Sequence, residues 1–301
     1  MEITNKDEIS SVEFFLILWK RKIVIGAITF FITLTSIIYA FSLPNIYTSN
    51  AVLLPANQKE SLGSSLGAYS SFAGLAGINL PTGTASVADE AIRRIESYDF
   101  FVNYFLPDIK YENLVAAVSW DPNSNLLIYD KNLFNSSTKK FNEGKKASNQ
   151  IAYKFYRASL EISKDGVNGF ILISVDHMSP HIAKYWTDTI IKNINIHMKE
   201  LERELAINSI EFLEKSLKNT NLSEMQKAIS NLVESQIQNL MLTEVVDDYV
   251  FKTISSPIVP EEKSGPSIKI ITLMGLFIGF IVSIMYALID FFFIRDKQNN
   301  F

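Results

Sequence analysis

Two stretches without a single charged residue limit what this chain can fold into. Ile23 to Leu43 reads IVIGAITFFITLTSIIYAFSL, and Ile270 to Ile289 reads IITLMGLFIGFIVSIMYALI. At about 20 residues each, they are long enough to cross a hydrocarbon core of ~30 Å as helices. A core helix of a soluble domain usually keeps a polar stripe, and neither stretch carries a charged residue. A secretory signal has a shorter apolar region and a small-x-small cleavage site, so the first stretch reads as a retained anchor.

Orientation follows from the flanks. Lys20, Arg21 and Lys22 precede the first stretch, and Arg295 and Lys297 follow the second. Positive flanks mark the cytoplasmic side, so both ends are expected there. Lys269, at the far end of the second span, opposes this weakly and can snorkel. The expected division is a cytoplasmic tail over 1–22, a first span over 23–43 and a domain over 44–267. A second span over 268–290 and a cytoplasmic tail over 291–301 complete it. In a bacterium the middle domain would be periplasmic. The chain has no cysteine, so packing alone must hold that domain in an oxidising compartment. Acidic residues outnumber basic ones there, and no nucleic-acid footprint is evident.

Residues 1–22 read as an amphipathic lead-in, with Ser10 or Ser11 capping a turn through Val12, Phe14, Phe15 and Leu18. Pro44 ends the membrane helix. Ile46–Leu54 alternates and is rich in β-branching, which predicts a strand. Residues 56–85 carry glycines and serines and read as an irregular loop. They lack the GxxxxGK[ST] pattern of a phosphate cradle. Ser86 with Asp89 is a capping-box-like start. The helix it opens has Ala88, Ala91, Ile92, Ile95 and Phe101 at helical spacing and stops at Pro107. From Leu114 to Phe134 short extended pieces are expected around Trp120 and Tyr129. A helix around Ile151–Tyr156 then leads to strands over Leu160–Ser163 and Phe170–Val175. Between those strands, Asp165-Gly166-Val167-Asn168-Gly169 is a hairpin turn.

The strongest soluble element starts at Ser179-Pro180, a cap with proline at the first helical position. Apolar residues recur at Ile182, Trp186, Ile190, Ile194, Met198, Leu201, Leu205, Phe212 and Leu217, up to Asn219-Thr220-Asn221. About 39 residues at 1.5 Å each give a helix of roughly 60 Å, which must project from a domain this size. Ser223 with Gln226 opens a second helix that folds back antiparallel. Asp247–Ser255 then reads as a strand returning to the sheet. The hairpin leaves apolar length unpaired, so side-by-side oligomers are expected. Trp186, Ile190, Ile194, Leu201 and Leu205 are the interface candidates. Pro257, Pro260 and Pro266 make a stiff spacer before the second span. Gly275 and Gly279 form GxxxG, which lets membrane helices approach closely.

No residue pattern proposes catalysis. His177, His181 and His197 have no cysteine or ordered carboxylate to complete a ligand set, so no metal is expected. Gly63-Ser64-Ser65-Leu66-Gly67 has the wrong spacing for a nucleophile elbow. Glu200, Glu202 and Glu204 with Lys199 and Arg203 read as a solvated helix face, and Asp247-Asp248 as a strand start. No catalytic residue and no cofactor are expected.

Several ordered landmarks carry a resemblance. They include a Tyr47-centred strand after the first span, Trp120-Asp121, Tyr129-Asp130 and the DGVNG turn followed by ILISVDHMSP. Further landmarks are Ala183, Trp186 and Asn195, then SIEFLEKSLKNT, MQKAISNLVESQIQNLML and DDYVFKTISSPIVPEEKSGPS before Gly275 and Gly279. In this order and over nearly the full length, the chain resembles the Wzz-type chain-length determinants, the polysaccharide co-polymerases. The resemblance implies an α+β membrane protein. Two transmembrane helices would flank a periplasmic α/β base carrying a long projecting helical hairpin. It also implies a bell-shaped homo-oligomeric ring in the inner membrane, beside a Wzy-type polymerase that joins undecaprenyl-linked repeat units. Such a ring sets the length of O-antigen or a related glycan without catalytic residues of its own.

Two other readings compete. One is an adaptor for capsule or exopolysaccharide export, working with a separate kinase and an outer-membrane channel. With residues 291–301 alone after the second span, a fused kinase is not expected. The other is a membrane-anchored hydrolase, for which the sequence offers no clustered catalytic side chains.

Overall fold

The computed structural model describes residues 19–56, 86–219 and 222–299. It divides into two units, Met1–Asn45 with Ser264–Phe301, and Ile46–Lys263. The lead-in through Leu18, the Gly-rich stretch over 57–85 and Thr220-Asn221 lie outside the described residues.

The first unit is a pair of antiparallel helices, Lys22–Ser42 and Ile268–Asn299. Lys22–Ser42 and Ile268–Asp290 are each long and apolar enough to cross a membrane. Most of their large apolar side chains face outward, which in water would be costly and in hydrocarbon is not.

The second unit is built on a four-stranded antiparallel sheet in the order β6-β7-β1-β8. Its strands are β1 (Tyr47–Pro55), β6 (Leu160–Lys164), β7 (Ile171–His177) and β8 (Phe251–Ser255). Two-stranded ribbons pair β2 (Ala117–Asp121) with β3 (Leu126–Tyr129), and β4 (Phe134–Asn135) with β5 (Lys140–Phe141). Alternation assigns the faces. Ala51 and Leu53 of β1, with Ile171, Ile173 and Val175 of β7, point into the core. Trp186, Ile190, Ile194 and Met198 of the long helix meet them, joined by Phe100, Phe101, Phe105 and Tyr156. Each Val, Leu, Ile, Phe or Met side chain among these, fully removed from water, stabilises the fold by about 1.5–3 kcal/mol.

The helix opened by Ser86 departs from expectation. Ser86 caps it, its Oγ accepting the Asp89 N–H at 3.1 Å, but the helix ends at Ile95. Ser97 restarts the chain by accepting the Phe100 N–H at 3.1 Å. A π-helical turn, Phe101–Phe105, and a 3-10 turn, Leu106–Asp108, follow. A serine hydroxyl offers the backbone an alternative partner, and that breaks the helix before the proline does.

The last strand is also shorter than expected. Asp247 to Val250 lie outside it. The buried Asn195 Oδ1 takes the Val250 and Phe251 N–H groups at 2.8 and 2.9 Å.

The long helix runs Pro180–Lys218 and the return helix Ser223–Val245. Up to Met198 the long helix is buried against the base; beyond it, Ala206 is the next buried residue. The distal part pairs with the return helix, where Thr243 is fully buried and Glu244 meets Arg203 at 3.1 Å.

Candidate functional site

The histidines come first, as the side chains best suited to chemistry. No group of three or more His, Cys, Asp or Glu placed to hold a metal occurs among the described residues. His177 closes β7 and is buried. Its Nδ1 accepts the Ser179 N–H at 2.9 Å, and its Nε2–H donates to the Asn113 carbonyl at 3.1 Å. This pairing fixes the neutral tautomer, and burial pushes its pKa below the ordinary histidine value. His197 lies against the Tyr104 ring at 4.3 Å and beside Arg94 at 3.3 Å. Burial, then the Arg94 charge, lower its pKa as well. His181 meets the edge of Trp120 at 6.3 Å. The three rings are dispersed, each with its own structural neighbours.

The glycines of the second apolar helix have a definite partner. A Cβ on Gly275 would meet the Ser36 side chain at 2.4 Å, and one on Gly279 would meet Ile32 at 3.1 Å and the Thr29 backbone at 3.2 Å. Gly275, Gly279, Ser283 and Ala287 are all buried, at intervals of four residues. They form a small-residue seam along which the first apolar helix lies. Thr29 Oγ1 donates to Ser283 Oγ at 3.2 Å, and Ser36 Oγ to the Ile271 carbonyl at 2.9 Å. Arg21 pairs with Asp290 at 2.5 Å at one end. The GxxxG signal was visible in sequence; its extension through Ser283 and Ala287 was not, because serine and alanine are common in any helix.

The prolines divide between surroundings. Pro257 is buried, Pro260 half-buried, and Pro266 follows a cis peptide bond after Gly265. The Ser49 hydroxyl donates to the Ile258 carbonyl at 2.8 Å, tying this segment to β1. A cleft of about 410 Å³ brings Pro257 together with Asp188, Lys192, Lys199, Asp247 and Asp248, with Ile191 and Ile196 also in its lining. The sequence had assigned Asp247-Asp248 to a strand start. They sit instead before the strand, facing long-helix lysines.

The interface candidates require a correction. Trp186, Ile190 and Ile194 are 1%, 1% and 0% exposed. They are core residues of the base, covered by the chain's own sheet, and have no surface to offer another protomer. Leu201 is half-buried and Leu205 is 53% exposed. The unpartnered apolar surface therefore begins where the helix leaves the base. It includes Leu205 and Phe212 on the long helix, and Ile237, Met241 and Val245 on the return helix. Their spacings, seven on one helix and four on the other, line up one stripe on each.

With this geometry in hand, comparisons place part of the chain. Residues 7–104 match the family model of Wzz, chain length determinant protein. No curated protein matches the chain. Among solved structures it is similar to a full-length bacterial polysaccharide co-polymerase, at 11% identity over 97% of this chain and 99% of that one, TM-score 0.40. It is similar to a fragment of the co-polymerase WzzB from Salmonella Typhimurium, at 12% identity over 73% and 100%, TM-score 0.30. A third is the O-antigen chain-length regulator WzzB of Shigella flexneri, at 9% identity over 72% and 100%, TM-score 0.24.

Proposed function

We propose that this chain is a non-enzymatic regulator of polysaccharide chain length, acting as a homo-oligomer in a bacterial inner membrane. In this reading the two apolar helices span the bilayer with both termini cytoplasmic, and residues 44–267 stand in the periplasm. Its polymer is O-antigen, and it works beside a Wzy-type polymerase that extends undecaprenyl-linked glycan. The match of residues 7–104 to the chain length determinant family carries the reading. The helical hairpin supports it, since stripes of exposed Leu205, Phe212, Met241 and Val245 are best covered by neighbouring copies. The glycine seam and Pro257, Pro260 and Pro266 are the proposed route by which polymerase contacts reach the base.

The test is a stripe variant in cells. Leu205→Glu with Phe212→Glu places two charges in the proposed interface while touching neither the core nor the seam. The expected result is a smaller detergent-solubilised particle and a glycan whose lengths no longer cluster. A monomer that still imposes the modal length would overturn the reading.

A further inference from the structure

The lobe between β3 and the helix Asn149–Ser159 differs in charge from the rest of its unit. Lys131, Lys139, Lys140, Lys145 and Lys146 are all exposed there, and Asp130 and Glu143 are the acidic residues of the lobe. None of these lysines forms an ion pair among the described residues. The lobe is fixed to the β2–β3 ribbon by rings. Phe134 packs on Tyr129 at 5.0 Å and on Phe141 at 5.2 Å, and Phe141 on Tyr111 at 5.7 Å. The ribbon itself shows apolar residues to solvent: Leu126 is 64%, Ile128 49% and Val118 44% exposed. Leu126 and Ile128 share one face of the strand, by its two-residue period. Averaged over the whole middle domain, where acidic residues outnumber basic ones, this local charge disappears.

The root of the ribbon is tethered. Trp120 stands edge-on to Tyr47 at 5.5 Å. Ile46 and Ala117, the first residue of β2, line one cleft of about 240 Å³ with Phe155. In sequence, three residues, Leu43, Pro44 and Asn45, separate Ile46 from Ser42, the last residue of the first apolar helix.

We propose that the β2–β3 ribbon and the adjoining lysine lobe dock on an anionic lipid surface. Leu126 and Ile128 enter the headgroup boundary, and the lysines meet lipid phosphates. The proposal rests on the reading that Lys22–Ser42 spans the bilayer. Branched aliphatic chains beside ammonium groups without a carboxylate partner suit that boundary, where basic residues are attracted to an anionic surface; Lys146 also lies over the Tyr111 ring at 5.1 Å. A neutral glycan would be met by exposed aromatic faces and hydroxyl-bonding groups instead.

The absence of native cysteine makes the experiment direct. Full-length chains carrying Leu126→Cys or Ile128→Cys are labelled with an environment-sensitive fluorophore. They are reconstituted in vesicles of phosphatidylethanolamine with phosphatidylglycerol, or of phosphatidylcholine alone, with doxyl-lipid quenchers. Val167→Cys, in a turn and 91% exposed, is the water reference, and Ile278→Cys in the second apolar helix is the membrane reference. Labels at 126 and 128 are expected to shift blue and lose emission to doxyl lipid in anionic vesicles. The effect should fall toward the Val167 level in phosphatidylcholine, and with Lys139, Lys140, Lys145 and Lys146 changed to Glu. Water-like emission at 126 and 128 with Ile278→Cys quenched overturns the docking and leaves the membrane reading standing. Blue-shifted emission that doxyl lipid does not quench also overturns it, in favour of a covering second copy. Equal quenching in both vesicle types overturns the role of the lysines. Water-like emission from Ile278→Cys overturns the membrane reading itself.

Discussion

At the scale of single residues, the amide of Asn195 decides where the last strand begins. Its oxygen accepts two backbone N–H groups, and its nitrogen donates to the Phe251 carbonyl at 3.0 Å. Asn195→Ala would leave these buried groups unpaired, at a cost of about 2–4 kcal/mol. A thermal melt of the solubilised chain is expected to shift down accordingly; an unchanged melt would contradict the assignment. His177 gives a pH signature. It is buried neutral with a lowered pKa, so the folded chain binds fewer protons than the unfolded chain. Its contribution to stability is therefore full above the ordinary histidine value of 6.5 and is lost as pH falls below it. Denaturation midpoints measured across that range should fall toward acid, and His177→Gln should flatten the slope. Neither role could be read from sequence. A buried asparagine on an apolar helix looks like part of a polar stripe, and a histidine ending a strand looks like any surface histidine.

At the scale of elements, periodicity carried most of what was legible. The charge-free runs, the alternating strands and Ser179-Pro180 each have a local physical cause, and each marks an element in the fold. The break at Ser97 did not show, because the apolar spacing runs on through Phe101 and hides a competing hydroxyl. Nor could periodicity say what covers a stripe. Trp186 and Leu205 continue one pattern, yet the base buries the first and leaves the second exposed. The glycine seam supplies the prediction here. Leucine at Gly275 or Gly279 cannot fit against Ser36 and Thr29 at the distances found. In a Thr29→Cys, Ser283→Cys background the two helices should cross-link, since the native hydroxyls stand 3.2 Å apart. Gly279→Leu is expected to abolish the cross-link and to shift the modal glycan length while the base stays folded. Cross-linking that persists would show that the seam tolerates the side chain.

At the scale of the whole molecule, a pair of apolar helices, a packed base and a hairpin with uncovered stripes support the proposal that this chain sets the length of a surface glycan without chemistry of its own. The most direct measurement is a gel of surface glycan from cells with the gene, without it, and with it restored. The expected result is a clustered modal length that collapses to short, unclustered chains on deletion and returns on restoration. An unchanged ladder would contradict it. Loss of all surface polymer with accumulation of lipid-linked intermediates would contradict it too, and would make the chain an export adaptor.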